Sequence, residues 1–203
     1  MILKIEDTLK YKFAKLISRI FDGPVAIFII MFLVWYKAPL EVKFPFFVFL
    51  LITLTLIIGG IVLILVFIRI KLVDNWELTN KNKRKYVFIL IFITISFMLA
   101  IGYINNISGY YLTYLIIWLI IFTIYALITE YTKYKPSLHI GYWTAILYIL
   151  ITTFSPVFIL LSPILFIIGY ARIVIKNHNV LELFLGGVII ILVFSVFSLI
   201  FLH

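Results

Sequence analysis

The stretch YVFILIFITISFMLAIGYINNISGYYLTYLIIWLIIFTIYALIT, Tyr86–Thr129, decides the fold: 44 residues without a charge. A helix crosses the roughly 30 Å hydrocarbon core of a bilayer with about 20 apolar residues, so this run is too long for one crossing. Asn105-Asn106-Ile107-Ser108-Gly109, near its middle, supplies the turn that divides it into two. Working outward, the 25 residues between Lys43 and Arg69 carry no charge. Pro136–Ala171 is likewise uncharged, with Ser155-Pro156 as its turn, and a last apolar segment runs over Val180–Leu202. Upstream, the segment Leu16–Tyr36 is interrupted by Arg19, Asp22 and Gly23-Pro24. The pattern predicts an all-α, polytopic transmembrane helical bundle of seven crossings, or six if the first segment lies in the interface. Alternating ten-residue strands of a membrane barrel are absent from the sequence.

Composition leads to the same class. Of 203 residues, 66% are hydrophobic and 12% charged, which leaves no room for a soluble domain of ordinary size. One integral-membrane domain over 1–203 is therefore expected. The absence of Cys excludes disulfides, thiolate metal sites and Cys nucleophiles. Carboxylates are too few and scattered for a two-metal site, and no cofactor is implied. The net charge of +9 points to anionic lipid headgroups and not to nucleic acid, for which no binding pattern exists. Residues 1–15 alternate Lys4, Glu6, Asp7, Lys10, Lys12 and Lys15 with apolar residues, as an interfacial amphipathic helix does. They lack the early apolar core and small-residue site of a cleavable signal.

The few polar residues gather in three islands, 71–85, 130–139 and 171–182. With seven crossings all three fall on one face, together with the N-terminus, and that face holds fifteen of the 17 basic residues. The positive-inside rule then makes it cytoplasmic; with six crossings the contrast shrinks to 7 against 10. In the second island, Ser137 is a natural N-cap whose neighbouring N–H groups suit an anion, and His139 lies beside it. In the third, His178 and Glu182 are four apart at a helix start, so the carboxylate can orient the imidazole. Such a pair is often simple helix stabilisation. Yet two of the three His residues lie in these islands, each near Lys or Arg, and Glu182 opens a long apolar segment where an ionisable group is costly. Two His, a carboxylate, a Ser and several cations form a constellation suited to phosphoryl transfer.

The run K-P-S-L-H-I-G at Lys135–Gly141, followed after two crossings by A-R-I-V-I-K-N-H-N-V-L-E-L-F-L-G-G at Ala171–Gly187, resembles the second and third signature motifs of the type 2 phosphatidic acid phosphatase superfamily. Their usual forms are P-S-G-H and S-R-x-x-x-x-x-H-x-x-x-D. Pro136, Ser137, His139, Arg172, His178 and the trailing Gly186 are kept, with the same Arg-to-His spacing. The first motif, K-x-x-x-x-x-x-R-P, would end at Arg84. The resemblance implies that family's core helices and a metal-independent membrane phosphatase for lipid phosphates or prenyl diphosphates. It implies His178 as nucleophile, Glu182 as its tautomer-fixing partner and His139 as acid and then base. Arg84, Lys135, Ser137 and Arg172 would bind the phosphate. The family commonly works on the extracytoplasmic face, against the charge count.

Three departures stand out. Leu138 replaces Gly, Glu182 replaces Asp, and Glu77 occupies the place of the first-motif Lys, so that loop must recruit Lys71, Lys81 or Lys83. Glu77 and Leu138 motivate a competing reading, a non-catalytic relative that binds anionic lipids or a partner. A small transporter is a third, although no paired broken-helix repeat and no mid-segment ionisable residue support it. Tyr110, Tyr111, Tyr114, Tyr142 and Trp143 are expected either to wall a lipid-chain entry or to form an interface belt.

Overall fold

The structure is a computed structural model that describes residues 9–201. Among these residues all regular structure is helical. The α-helices are α1 (Leu9–Ile20), α2 (Gly23–Lys37), α3 (Phe46–Arg69), α4 (Arg84–Ile104), α5 (Gly109–Tyr131), α6 (Leu138–Thr153), α7 (Pro163–Val174) and α8 (Val180–Phe201). Among the described residues six helical stretches are long and apolar enough to cross a membrane, and α6 is a shorter apolar helix. Large apolar side chains on α3, among them Phe47, Leu51, Ile58 and Leu65, are exposed, an arrangement that water penalises and lipid does not.

The expected turns are present, and local chemistry explains them. α4 ends where Asn106 adopts φ 50°; its N–H bonds the Tyr103 carbonyl, and the Ile107 N–H bonds that of Gly102. That pairing closes the orphan carbonyls, and Asn tolerates the left-handed conformation it requires. Ser108 then caps α5 by accepting the Tyr110 N–H. Ser155 does the same for the 3₁₀ turn Pro156–Leu161.

The N-terminal region differs from the expected boundaries. α1 continues across residue 15 to Ile20, with Ala14 and Ser18 buried, and together with α2 it forms one candidate span, Leu9–Lys37. The chain breaks at Phe21-Asp22 because the Asp22 carboxylate accepts the Gly23 N–H at 2.7 Å and starts α2. Residues 1–8 of the predicted helix lie outside the described residues. The islands are likewise shorter as loops: α4 begins at Arg84, α6 at Leu138, and α7 persists to Val174.

By contact density the chain divides into two compact units, with the divisions inside α2 and α8. The first holds residues 9–30 and 136–192: α1, the start of α2, α6, α7 and most of α8. Within it α1 packs along α7, and the Lys10 ammonium lies 5.5 Å from the Tyr170 ring centre. The second holds residues 31–135 and 193–201, with α3, the α4–α5 hairpin and the end of α8. Its interior includes an aromatic cluster in which Trp35 stacks on Phe49 at 5.0 Å.

Candidate active site

The third island is shaped by how α7 ends. Lys176 adopts φ 57°, and the Lys176 N–H bonds the Ile173 carbonyl. The Arg172 carbonyl receives the N–H groups of both Asn177 and His178, at 3.0 and 3.4 Å. This closing turn gives a physical reason for the Arg-to-His spacing: the backbone of His178 is tied to the backbone of Arg172. Immediately afterwards Asn179 and Glu182 form a reciprocal capping box. The Glu182 N–H donates to Asn179 Oδ1 at 2.9 Å, and the Asn179 N–H donates to Glu182 Oε2 at 3.2 Å.

That same Oε2 lies 3.1 Å from His178 Nδ1. The side chains of the pair are 1% and 6% exposed, so their hydrogen bond acts with little competition from water. A carboxylate only accepts, so Nδ1 carries the hydrogen and Nε2 is left as the lone-pair nitrogen of the neutral ring. Glu182 therefore reaches the imidazole while still completing its helix cap.

The second island is fastened to the third through the backbone. Ser137, fully buried, caps α6 by accepting the Ile140 N–H, and its own N–H donates to the Glu182 carbonyl at 3.0 Å. Gly186 makes this approach possible: a Cβ there would stand 2.6 Å from the Ser137 carbonyl oxygen and 3.0 Å from its nitrogen, inside contact distance of backbone that cannot rotate away. Gly186 is thus a packing requirement between α8 and the start of α6.

Arg172, 1% exposed, donates through Nη1 to Ser18 Oγ at 2.7 Å. The same nitrogen lies 3.5 Å from His139 Nε2, which is itself 3.2 Å from Asp22 Oδ1. His139 Nε2 cannot both donate to Asp22 and accept from Arg172. The shorter contact, to a carboxylate, assigns the hydrogen to Nε2 and makes Asp22 its acceptor. Buried cations need such partners, since an unpaired charge in a low-dielectric interior is strongly disfavoured.

Five of the seven sequence-predicted site residues, His139, His178, Glu182, Ser137 and Arg172, lie in this first unit and are connected by these contacts. The other two, Arg84 and Lys135, lie in the second unit. There they grip the loop that precedes α4. Arg84 Nε donates to the Leu78 carbonyl at 2.9 Å, and Lys135 Nζ to that of Thr79 at 2.8 Å. Asn75 braces the loop through the Thr79 hydroxyl and N–H. Among the Lys residues of that loop, Lys83 is engaged by Asp74 and by the Lys71 carbonyl. Lys83 and Asn80 hold the Asp74 carboxyl below the usual carboxylate range. The aromatic residues expected to form one wall or belt divide too. Tyr110, Tyr111 and Tyr114 cluster in the second unit, whereas Trp143 Nε1 donates to the Phe21 carbonyl in the first.

Sequence reasoning missed Ser18 and Asp22. Asp22 leaves a signal, an acidic residue in an apolar segment, but in the sequence alone it reads as a helix interruption. Ser18 left none, because a Ser on an amphipathic helix is ordinary. Among the described residues no group of three His, Asp or Glu side chains is placed to hold a metal ion. No protein-family model matches the chain, and neither a curated protein nor a solved structure matches it.

Proposed function

We propose that this chain is an integral-membrane phosphatase that hydrolyses a lipid phosphate monoester or prenyl diphosphate through a phosphohistidine. The observation that carries the reading is the buried His178–Glu182 pair, whose hydrogen bond leaves Nε2 as the attacking nitrogen. Support comes from Arg172 and His139, brought to 3.5 Å of each other in the same unit, and from the linked starts of α6 and α8 at Ser137 and Glu182. Helix starts present N–H groups and positive dipole ends to a phosphate.

In the first step His178 Nε2 attacks phosphorus, and the bond from phosphorus to the lipid oxygen breaks. His139, in its protonated form, gives its proton to that oxygen. Arg172 and the N–H groups near Ser137 stabilise charge on the remaining phosphoryl oxygens. In the second step water attacks the phosphohistidine, His139 takes the water proton, and inorganic phosphate leaves. α2 and α6, with 15 and 16 residues, are only about 22–24 Å long at 1.5 Å per residue. Short helices that begin at polar residues suit a site set below headgroup level.

The test is phosphate release in detergent from phosphatidic acid, phosphatidylglycerol phosphate and polyprenyl mono- and diphosphates, with His178→Ala as control. Release lost in the variant supports the reading. A folded wild-type chain inactive on the whole panel rejects it in favour of the lipid-binding relative that Glu77 and Leu138 suggest. With seven crossings, the charge bias puts the motif-bearing ends in the cytoplasm. The family habit is the opposite face. In this Cys-free chain a single Cys at position 82 labelled only from inside is the expected result; labelling from outside refutes it.

A further inference from the structure

The corner between α1 and α2 lies outside the motifs, yet two of its contacts fasten it to α6 in the first unit. The Phe21 carbonyl accepts Trp143 Nε1–H at 2.9 Å, and the two rings meet edge to face at 4.8 Å. One residue later, Asp22 Oδ1 faces His139 Nε2 at 3.2 Å. His139 and Trp143 are four apart on α6, so the corner lies along one face of that helix. One turn before Asp22, Ser18 takes Arg172 Nη1 at 2.7 Å.

We infer that Asp22 is the positioning residue of His139, orienting its ring and compensating the positive charge it carries while it holds the proton destined for the leaving oxygen. The inference rests on the phosphatase reading. The need for compensation is local: Arg172 Nη1, a permanent cation, lies 3.5 Å from the same imidazole nitrogen, so the ring faces a like charge whenever it carries its second proton. Asp22 supplies the opposing charge. As the lipid oxygen departs from phosphorus and takes the proton, the ring becomes neutral, and it recovers a proton when water attacks the phosphohistidine.

Asp22 also caps α2 through Gly23, so the test must separate the cap from the charge. Asp22→Asn does so, because Asn is an equally good cap and keeps an oxygen for both contacts, while the charge is lost and the other oxygen becomes an NH2 group. The comparison uses the full chain in detergent and two substrates. One is an alkyl phosphate, whose alkoxide needs a proton to leave; the other is p-nitrophenyl phosphate, whose phenolate does not. The expected result is a fall in kcat on the alkyl ester of at least about tenfold, within the scale of general acid catalysis, with KM nearly unchanged. The fall on the aryl ester should be much smaller, and the thermal midpoint unaltered. Equal falls on both esters, or a change under about twofold on the alkyl ester, would overturn the assignment while leaving the phosphatase reading intact. A wild-type chain inactive on every phosphate would overturn both.

Discussion

Two His–carboxylate pairs in the first unit use the same chemistry in different settings. His178 and Glu182 are neighbours on one helix start, with side chains 1% and 6% exposed. His139 and Asp22 come from α6 and the α1–α2 corner, and are 12% and 20% exposed. Each carboxylate also completes a helix N-terminus, Glu182 through its box with Asn179 and Asp22 through Gly23. The cap fixes the carboxylate, and the fixed carboxylate then fixes the imidazole. The drier pair suits a nucleophile whose tautomer must not change, and the wetter one a group that gains and loses a proton.

That contrast can be broken in order of effect. His178→Ala should reduce phosphate release to background and prevent acid-labile phosphorylation of the chain. His139→Ala should still form some phosphoenzyme but turn over about 10²–10⁴-fold more slowly. If both variants lose phosphorylation equally, the division of roles is wrong. Glu182→Gln retains a capping-box side chain but not the charge, and kcat should fall by roughly a hundredfold or more, as when a buried carboxylate partner of a catalytic His is neutralised. A loss smaller than that in Asp22→Asn would reverse the ranking of the two pairs.

Gly186→Ala tests the join between the motifs. Its methyl would meet the Ser137 backbone, and the expected cost is about 1–3 kcal/mol, seen as a lower thermal midpoint in detergent. Lys176→Gly should have the smallest effect. A left-handed non-Gly residue costs about 1–2 kcal/mol, partly offset by the freedom of Gly in the unfolded chain, so a small rise in midpoint is expected. A fall would mean that the Lys side chain contributes more than the turn.

Much of the architecture is legible because lipid imposes it. Uncharged runs of bilayer length must be helices, and the dividing turns announce themselves through Asn105–Gly109 and Ser155-Pro156. The His178–Glu182 pair is legible because the two lie close in sequence at a helix start; His178 itself precedes α8, and the Asn179–Glu182 capping box turns the carboxylate back to it. The first helix boundary is less legible: residues 16–20 read as the start of an apolar segment and also continue α1, in which Ala14 and Ser18 are buried.

By itself, then, the sequence determined an all-helical membrane chain, its turns, and one His–carboxylate pair, all consequences of composition or of contacts between near neighbours in the chain. Only the tertiary structure decided that Asp22 meets His139, that Ser18 holds Arg172, and that Gly186 admits the Ser137 backbone. These contacts join helices distant in the chain, and no local periodicity records which surfaces will pack. A single Asp in an apolar segment states that a partner is needed, because a lone buried charge is costly; which residue answers it is a matter of how α1, α6 and α7 are packed.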